Sequence, residues 1–138
     1  MTVTEYVRQL VRERAGNRCE YCLCHQDYVF GRLQIDHVYP IAKGGLDTES
    51  NLCLACELWN QHKWIKTDDT DPRTGKRAAL FDPRRQRWND HFKWNTEGTD
   101  IIGQTDSGCA TINALKFNND LAVTVRRNWV RAGWHPPE

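Results

Sequence analysis

The residues best suited to phosphate or metal chemistry lie in one short stretch near the middle of the chain. Asp36 and His37 are adjacent in a run of strand-forming residues, so their side chains are expected to point to opposite sides of a strand. Asp36 offers a hard oxygen ligand for Mg²⁺ or Mn²⁺, and Asn60 offers a second, neutral oxygen further along the chain. A neutral His37 imidazole is able to take a proton from water. The pattern indicates metal-assisted hydrolysis with His37 as the base.

The chain also contains six cysteines, four of them in two C-x-x-C pairs. The pairs are Cys19 with Cys22 and Cys53 with Cys56, and the two remaining cysteines are Cys24 and Cys109. The N-terminal residues lack the basic start and apolar block of a secretory signal, so we expect a reducing, cytoplasmic setting. Cysteine pairs in that setting are more often metal ligands than disulfides, and two pairs predict a zinc site.

Two elements are predicted ahead of the catalytic candidates. A first helix is expected from about residue 3 to 15, because Thr2 and Glu5 have the form of a capping box and Gly16 offers a stop. Residues 28–38 carry β-branched and aromatic side chains, which predicts a short hairpin within that range.

A longer helix is predicted from about residue 51 to 65, with no internal breaker. It would carry Cys53 and Cys56 on one face, because residues three apart are neighbours on a helix. The residues suited to cap its N-terminus are Asp47, Thr48 and Ser50.

Beyond Thr67 the composition changes to Asp-Pro turns, basic residues and spaced aromatic side chains. Residues 73–93 contain seven basic and two acidic residues, a local net charge of +5. A strand is predicted at 99–103, and helices at 107–117 and 121–129. Four aromatic residues are expected to anchor this extension onto the preceding domain: Phe81, Trp88, Phe92 and Trp94. The basic residues proposed to hold phosphates are Lys63, Arg84, Arg85 and Arg87.

Length and composition favour one compact domain with a short appended element. A chain of 138 residues with 39% hydrophobic residues is able to bury a core. The formal net charge of +1 does not by itself indicate an anionic partner. No apolar run approaches the ~20 residues of a membrane-spanning helix, so no membrane span is predicted.

A set of short motifs occurs in order between Arg14 and Ile65. They are Cys19-x-x-Cys22, Ile35-Asp36-His37-Val38 with Pro40, Gly44-Gly45, Asn51-Leu52, Leu54-Ala55-Cys56 and Asn60-x-x-Lys63. This part of the chain resembles the HNH endonuclease family. The resemblance implies an α+β fold: a ββα-metal core with an N-terminal helix over residues 1–66, and a wrapped C-terminal extension over residues 67–138. Residues 73–94 more weakly resemble an extension of bacterial, notably cyanobacterial, HNH proteins.

The same resemblance implies a role for each matching residue. Asp36 and Asn60 would hold one Mg²⁺ or Mn²⁺ ion, and His37 would activate water. Asn51 would fix the loop that orients His37. The implied activity is that of a DNA endonuclease or nickase, which hydrolyses phosphodiester bonds to 5′-phosphate and 3′-hydroxyl ends.

One position departs from the family pattern. Zinc-bearing members have a cysteine where this chain has Trp59, and a closed structural zinc site needs four ligands. Cys19, Cys22 and Cys56 match the pattern, and Cys53 is predicted to replace the missing ligand, with Cys24 and His25 as more distant candidates. If zinc is absent, Trp59 is expected to fill the volume and pack against the Cys19–Cys22 turn.

Two other functions are consistent with the sequence. One is a non-catalytic nucleic-acid-binding module on a degenerate HNH scaffold, which the Trp59 substitution motivates. The other is a zinc-ribbon interaction protein that uses the four cysteines of the C-x-x-C pairs.

Overall fold

The computed structural model describes residues 3–137, and the chain forms two compact units. The first unit comprises the chain through Thr67 together with Asp82–Gln86, and the second comprises Asp68–Phe81 and the chain from Arg87 onward. Each sheet found among the described residues is a two-stranded antiparallel pair, so helices and small sheets together make an α+β protein. No helix within residues 3–137 is long and apolar enough to cross a membrane.

The first helix, α1, spans Glu5–Arg14. Its N-cap is Thr4, whose hydroxyl accepts a hydrogen bond from the Val7 amide at 3.2 Å. The predicted capping residue Thr2 lies outside the described residues. The chain leaves the helix through Gly16 and Asn17, which both have a positive φ. That reversal leads directly into the first cysteine pair.

A strand pair and a helix form the rest of the first unit. Strand β1 spans Gln34–His37, strand β2 spans Leu52–Ala55, and helix α2 spans Glu57–Lys63. The two strands are antiparallel, with Asp36 opposite Cys53.

The hairpin predicted within residues 28–38 and the helix predicted from residue 51 are therefore wrong. The partner of β1 comes from residues 52–55, all four of which are buried. A short apolar run of this kind has the same pattern in a buried strand and in a buried helix, so the sequence did not distinguish them. The helix that does form is shorter and begins after Cys56.

The loop between β1 and β2 depends on two glycines. Gly44 has φ +96° and ends a one-turn 3₁₀ helix at Ile41–Lys43. A Cβ at Gly45 would overlap the carbonyl of Tyr39. The Gly-Gly pair is thus required by the path of this loop.

The second unit contains the remaining elements. They are β3 (Asp68–Thr70), β4 (Arg77–Ala79), α3 (Trp88–His91), β5 (Phe92–Trp94), β6 (Ile101–Gly103), α4 (Asp106–Leu115) and α5 (Asp120–Arg131). Strand β3 pairs with β4 and β5 with β6, and α4 packs against β3, β4 and β6. The strand predicted at 99–103 and the two C-terminal helices are confirmed, with ends that differ by a few residues.

An aromatic cluster builds the core of this second unit. Phe92 is buried at its centre, with ring centroids 5.2 Å from Phe81 and from Trp88 and 5.8 Å from Phe117. Trp88 also lies 5.5 Å from Trp94. The aromatic residues predicted to act as anchors thus pack together within this second unit.

Candidate active site and cysteine cluster

The Asp36 carboxylate lies on the face of β1 that points into the first unit. It is 4% exposed, and its Oδ2 accepts a hydrogen bond from the Tyr21 hydroxyl at 2.8 Å. The thiol of Cys53, its neighbour on β2, lies 3.5 Å from the same oxygen. Burial on this face follows from the pairing of β1 with β2, which gives Asp36 and Cys53 the same side of the sheet.

Lys63 supplies the positive charge for this carboxylate. Its Nζ lies 3.3 Å from Asp36 Oδ1 and 3.2 Å from Oδ2, and it also donates to the His37 carbonyl at 2.8 Å. Lys63 is 2% exposed, at the C-terminal end of α2. The prediction that Lys63 holds a phosphate is therefore wrong for this arrangement, because its ammonium is buried and bound by the protein.

Asn60 lies one turn earlier on α2 and faces the same strand. Its amide nitrogen donates to the Gln34 side-chain oxygen at 3.0 Å. Gln34 and Asp36 are two residues apart on β1 and so share a face of the strand. The fold thus brings both predicted metal ligands to the space between β1 and α2.

A divalent ion at these residues would meet a positive charge that the protein already supplies. A cation would have to contact a carboxylate that is almost fully covered, and the Lys63 ammonium already lies within 3.3 Å of both of its oxygens. An ion at Asp36 would have to displace that ammonium, since two cations at one carboxylate repel each other.

His37 occupies the opposite face of β1, at the end of the strand. Its side chain is 23% exposed, and its Nε2 lies 2.7 Å from Oδ1 of Asp47. The sequence interpretation treated Asp47 as a helix cap and missed this partner. An acidic residue in a loop ten positions away carries no periodic signal, so only the folded loop identifies the pair.

Asn51 fastens the loop that contains Asp47. Its side-chain oxygen accepts from the Tyr39 amide at 2.8 Å, and its amide nitrogen donates to the carbonyls of Tyr39 and Leu46 at 3.0 and 2.9 Å. Its backbone carbonyl accepts from the Val38 amide at 2.8 Å. Asn51 thus links Val38 and Tyr39, which follow His37, with Leu46, which precedes Asp47.

The other basic residues proposed for phosphate binding differ from one another. Arg84 is half-buried and forms an ion pair with Glu20, and burial lowers the pKa of its guanidinium to about 10. Arg85 and Arg87 are exposed. Arg84 is therefore committed to a partner within the protein, whereas the other two face solvent.

The thiols of Cys19, Cys22 and Cys56 form a cluster beside the start of α2. Their sulfur atoms all lie within 4.8 Å of one another, with Cys22 3.7 Å from Cys56. The sulfur of Cys19 accepts hydrogen bonds at 3.4 Å from three backbone amides, those of Tyr21, Cys22 and Cys56. Amide donors favour the thiolate form of a sulfur, but burial has the larger effect here and raises the pKa of the Cys19 thiol. The cluster has the residue type and spacing of a structural zinc site.

Cys24 also has its sulfur at this cluster, 3.4 Å from that of Cys56. All six cysteines of the chain are free thiols. Contacts with Cys19, Cys24 and Cys56 lower the pKa of the Cys22 thiol. Burial raises the pKa of Cys19, and contact with Cys22 raises that of Cys24.

Cys53 is not part of the cluster, and its prediction as the replacement zinc ligand is wrong. It lies on β2 instead of on a helix, so it does not share a face with Cys56, and its sulfur points at Asp36. Burial and the Asp36 charge raise the pKa of its thiol. The zinc-ribbon hypothesis required Cys53 in the same site and fails for the same reason.

The fold and the cluster define a small α+β domain whose cysteines could hold a metal ion. Residues 19–63 match the model of the HNH endonuclease family, so this segment of the chain is similar to an HNH domain. HNH domains act as nucleases or in nucleic-acid binding, and they bind divalent metal ions. Comparison with curated proteins and with solved structures gave no match.

Proposed function

We propose that this protein is a metal-dependent DNA endonuclease or nickase with a ββα-metal core, in which His37 is the general base. The observation that carries the proposal is the His37–Asp47 pair at the exposed end of β1, held by the loop that Asn51 fastens. A partly exposed imidazole with an adjacent carboxylate has the geometry of a general base that a substrate can reach.

The pair also determines which nitrogen accepts the proton. Asp47 accepts from the ring at 2.7 Å, so Nε2 carries the hydrogen and Nδ1 carries the lone pair. In the proposed reaction Nδ1 removes a proton from a water molecule, the water oxygen attacks phosphorus, and the bond to the 3′ oxygen breaks. The departing 3′ oxygen takes a proton from solvent water to become the 3′-hydroxyl. Asp47 stabilises the imidazolium that forms, and Asn51 acts as a positioning residue for the loop.

Metal dependence enters the proposal through the family and through the oxygen atoms of Asp36 and Asn60. A divalent ion would supply positive charge near the leaving oxygen. Because the Lys63 ammonium lies beside Asp36, binding of the ion is expected to require movement of Lys63. The exposed residues Arg85 and Arg87 are proposed to contact DNA phosphates.

The test is conversion of supercoiled plasmid to open-circular and linear DNA in Mg²⁺ or Mn²⁺, with a chelator control. We expect His37→Ala to lower the cleavage rate by about 10²- to 10⁴-fold, the usual contribution of a general base. The matched control is His62→Ala, which removes another half-buried histidine and should leave cleavage near the parent rate. Equal rates for the parent and His37→Ala would refute the assignment.

A second function is favoured by the Asp36–Lys63 ion pair. A carboxylate neutralised within the protein would leave the domain able to bind nucleic acid without cutting it. A folded parent chain that binds DNA in a salt-dependent manner, yet cleaves no substrate with either ion, would support this binding module.

A further inference from the structure

The sulfur of Cys24 lies against that of Cys56, next to the three sulfurs of Cys19, Cys22 and Cys56 that all lie within 4.8 Å of one another. It is 3.4 Å from Cys56 Sγ, Cys22 Sγ is 3.7 Å from Cys56 Sγ, and the Cys24 side chain is fully buried. Four sulfurs bound tetrahedrally at about 2.3 Å from zinc are about 3.8 Å apart. These two separations are close to that edge length, and an ion bound by all four sulfurs would draw Cys24 closer to the rest of the cluster.

The backbone explains why Cys24 reaches this position. Arg18 and His25 form an isolated antiparallel bridge, and the Cys19 amide donates to the Cys24 carbonyl at 2.9 Å. Leu23 has φ +67°, a conformation that reverses the chain between them. Antiparallel pairing therefore places Cys24 directly opposite Cys19.

The helix, by contrast, brings an indole to the cluster. Trp59 follows Cys56 by three residues, is 4% exposed, and is one of the side chains around the Cys22 thiol. An indole nitrogen is a hydrogen-bond donor and not a metal ligand. If the cluster is to be closed by a fourth sulfur, that sulfur must come from another element.

We propose that Cys24 is the fourth ligand of a four-thiolate zinc site with Cys19, Cys22 and Cys56. The turn at residues 19–24 thus supplies three ligands, and Cys56, the N-cap of α2, supplies the fourth. Cys53, whose sulfur points at Asp36, lies outside the site.

The first test measures zinc bound per full-length chain, and its affinity by competition with a chromophoric chelator. The parent is expected to bind one zinc ion. Cys24→Ser should weaken binding by about 10²- to 10³-fold, the share of one ligand in the binding free energy of a structural site. Cys53→Ser is the matched control, because both thiols are fully buried, and it should change the affinity by less than about threefold.

The second test does not require the Cys24 variant to fold. X-ray absorption at the zinc edge, on the parent and on Cys53→Ser, should show four sulfur neighbours at about 2.3 Å in both proteins. Three sulfurs with one nitrogen or oxygen in the parent, loss of a sulfur in Cys53→Ser, or no bound zinc would each overturn the assignment. Both readouts are independent of nuclease activity.

Discussion

The buried ion pair between Asp36 and Lys63 is the residue-level feature with the clearest energetic consequence. Two charges taken out of water are tolerated here because each meets the other and a further hydrogen-bonding group. Removing one partner leaves a buried charge without compensation. The pair therefore stabilises the fold only as long as both members are present.

Lys63→Met is expected to lower the free energy of unfolding by about 3–5 kcal/mol, because Asp36 would remain as an unpaired buried carboxylate. Chemical denaturation of the full-length chain measures this change in unfolding free energy. Lys66→Met, an exposed lysine three residues further on, is the control and should have an effect within about 0.5 kcal/mol. The double variant Asp36→Asn with Lys63→Met should recover part of the loss, and a double variant no more stable than Lys63→Met would contradict this account.

His37 and Asp36 show how one strand separates two functions. Neighbouring residues on β1 point to opposite faces, so the carboxylate is buried against α2 while the imidazole reaches the loop. The register of β1 with β2 fixes which face of the strand pair each of the two side chains occupies. The proposed base is therefore kept apart from the buried Asp36 carboxylate.

At the scale of elements, the β1–β2 loop sets the position of Asp47 relative to His37. Gly45→Ala is expected to displace the loop, because the added Cβ would overlap the Tyr39 carbonyl. We expect a loss of about 1–3 kcal/mol in unfolding free energy and a larger loss of plasmid cleavage, measured on the same preparation.

Gly44→Ala is the comparison for that variant. The Cβ at Gly44 meets no atom within 4 Å, and only its φ of +96° is strained. It should therefore disturb cleavage less than Gly45→Ala does. A Gly45→Ala protein with the parent's cleavage rate would show that the loop path does not matter to the reaction.

The turn between β3 and β4 carries an acid-sensitive contact. Arg73 donates to the buried Asp71 carboxylate at 3.0 Å, and this hydrogen bond lowers the pKa of Asp71 below its ordinary 3.8. A lowered pKa in the folded state means that the contact stabilises the protein above pH 3.8 and that this stability is lost as the pH falls through the folded-state pKa.

Arg73→Gln should therefore lower the Tm near neutral pH, and its difference from the parent should shrink as the pH falls below 3.8. Thermal unfolding across that pH range checks this. Arg77→Gln is the control. It removes an ion pair with Asp68 on the same hairpin, but both members of that pair are largely exposed, so the Tm should change little. A pH-independent effect of Arg73→Gln would rule out the charge as its cause.

At the scale of the whole molecule, one chain contains one proposed base. A single site of this kind cuts one strand in each encounter, so open-circular plasmid should accumulate before linear plasmid. A time course resolved on an agarose gel measures the order. Linear product that forms without an open-circular intermediate would instead require two sites acting together.

The two units are stabilised by different features of the chain. The first unit combines a strand pair with a cysteine cluster, whereas the second has an aromatic core around Phe92. Small domains often need a metal to supplement a small core, and only the first unit carries thiols in a cluster among the described residues.

Local signals in the sequence were sufficient to predict the two C-terminal helices and the segment that matches the HNH family model. Helices α4 and α5 were predicted from their own residues, since capping and periodicity act within a few positions. The motif around Asp36, His37 and Asn60 identified the family segment, because those residue types at those spacings are rare by chance. Alternation along a strand also predicted that Asp36 and His37 would face apart.

Tertiary structure decided the contacts between residues distant in the chain. Leu52–Ala55 forms a strand because it pairs with β1. This pairing directs the Cys53 sulfur, which was predicted to be a zinc ligand, towards Asp36. Three contacts depend on how the chain folds back: Lys63 with Asp36, Asp47 with His37, and Cys24 with Cys56. The sequence by itself determined which chemical groups are present and which short elements carry them, whereas burial and charge pairing, which depend on the three-dimensional path, determined which groups meet.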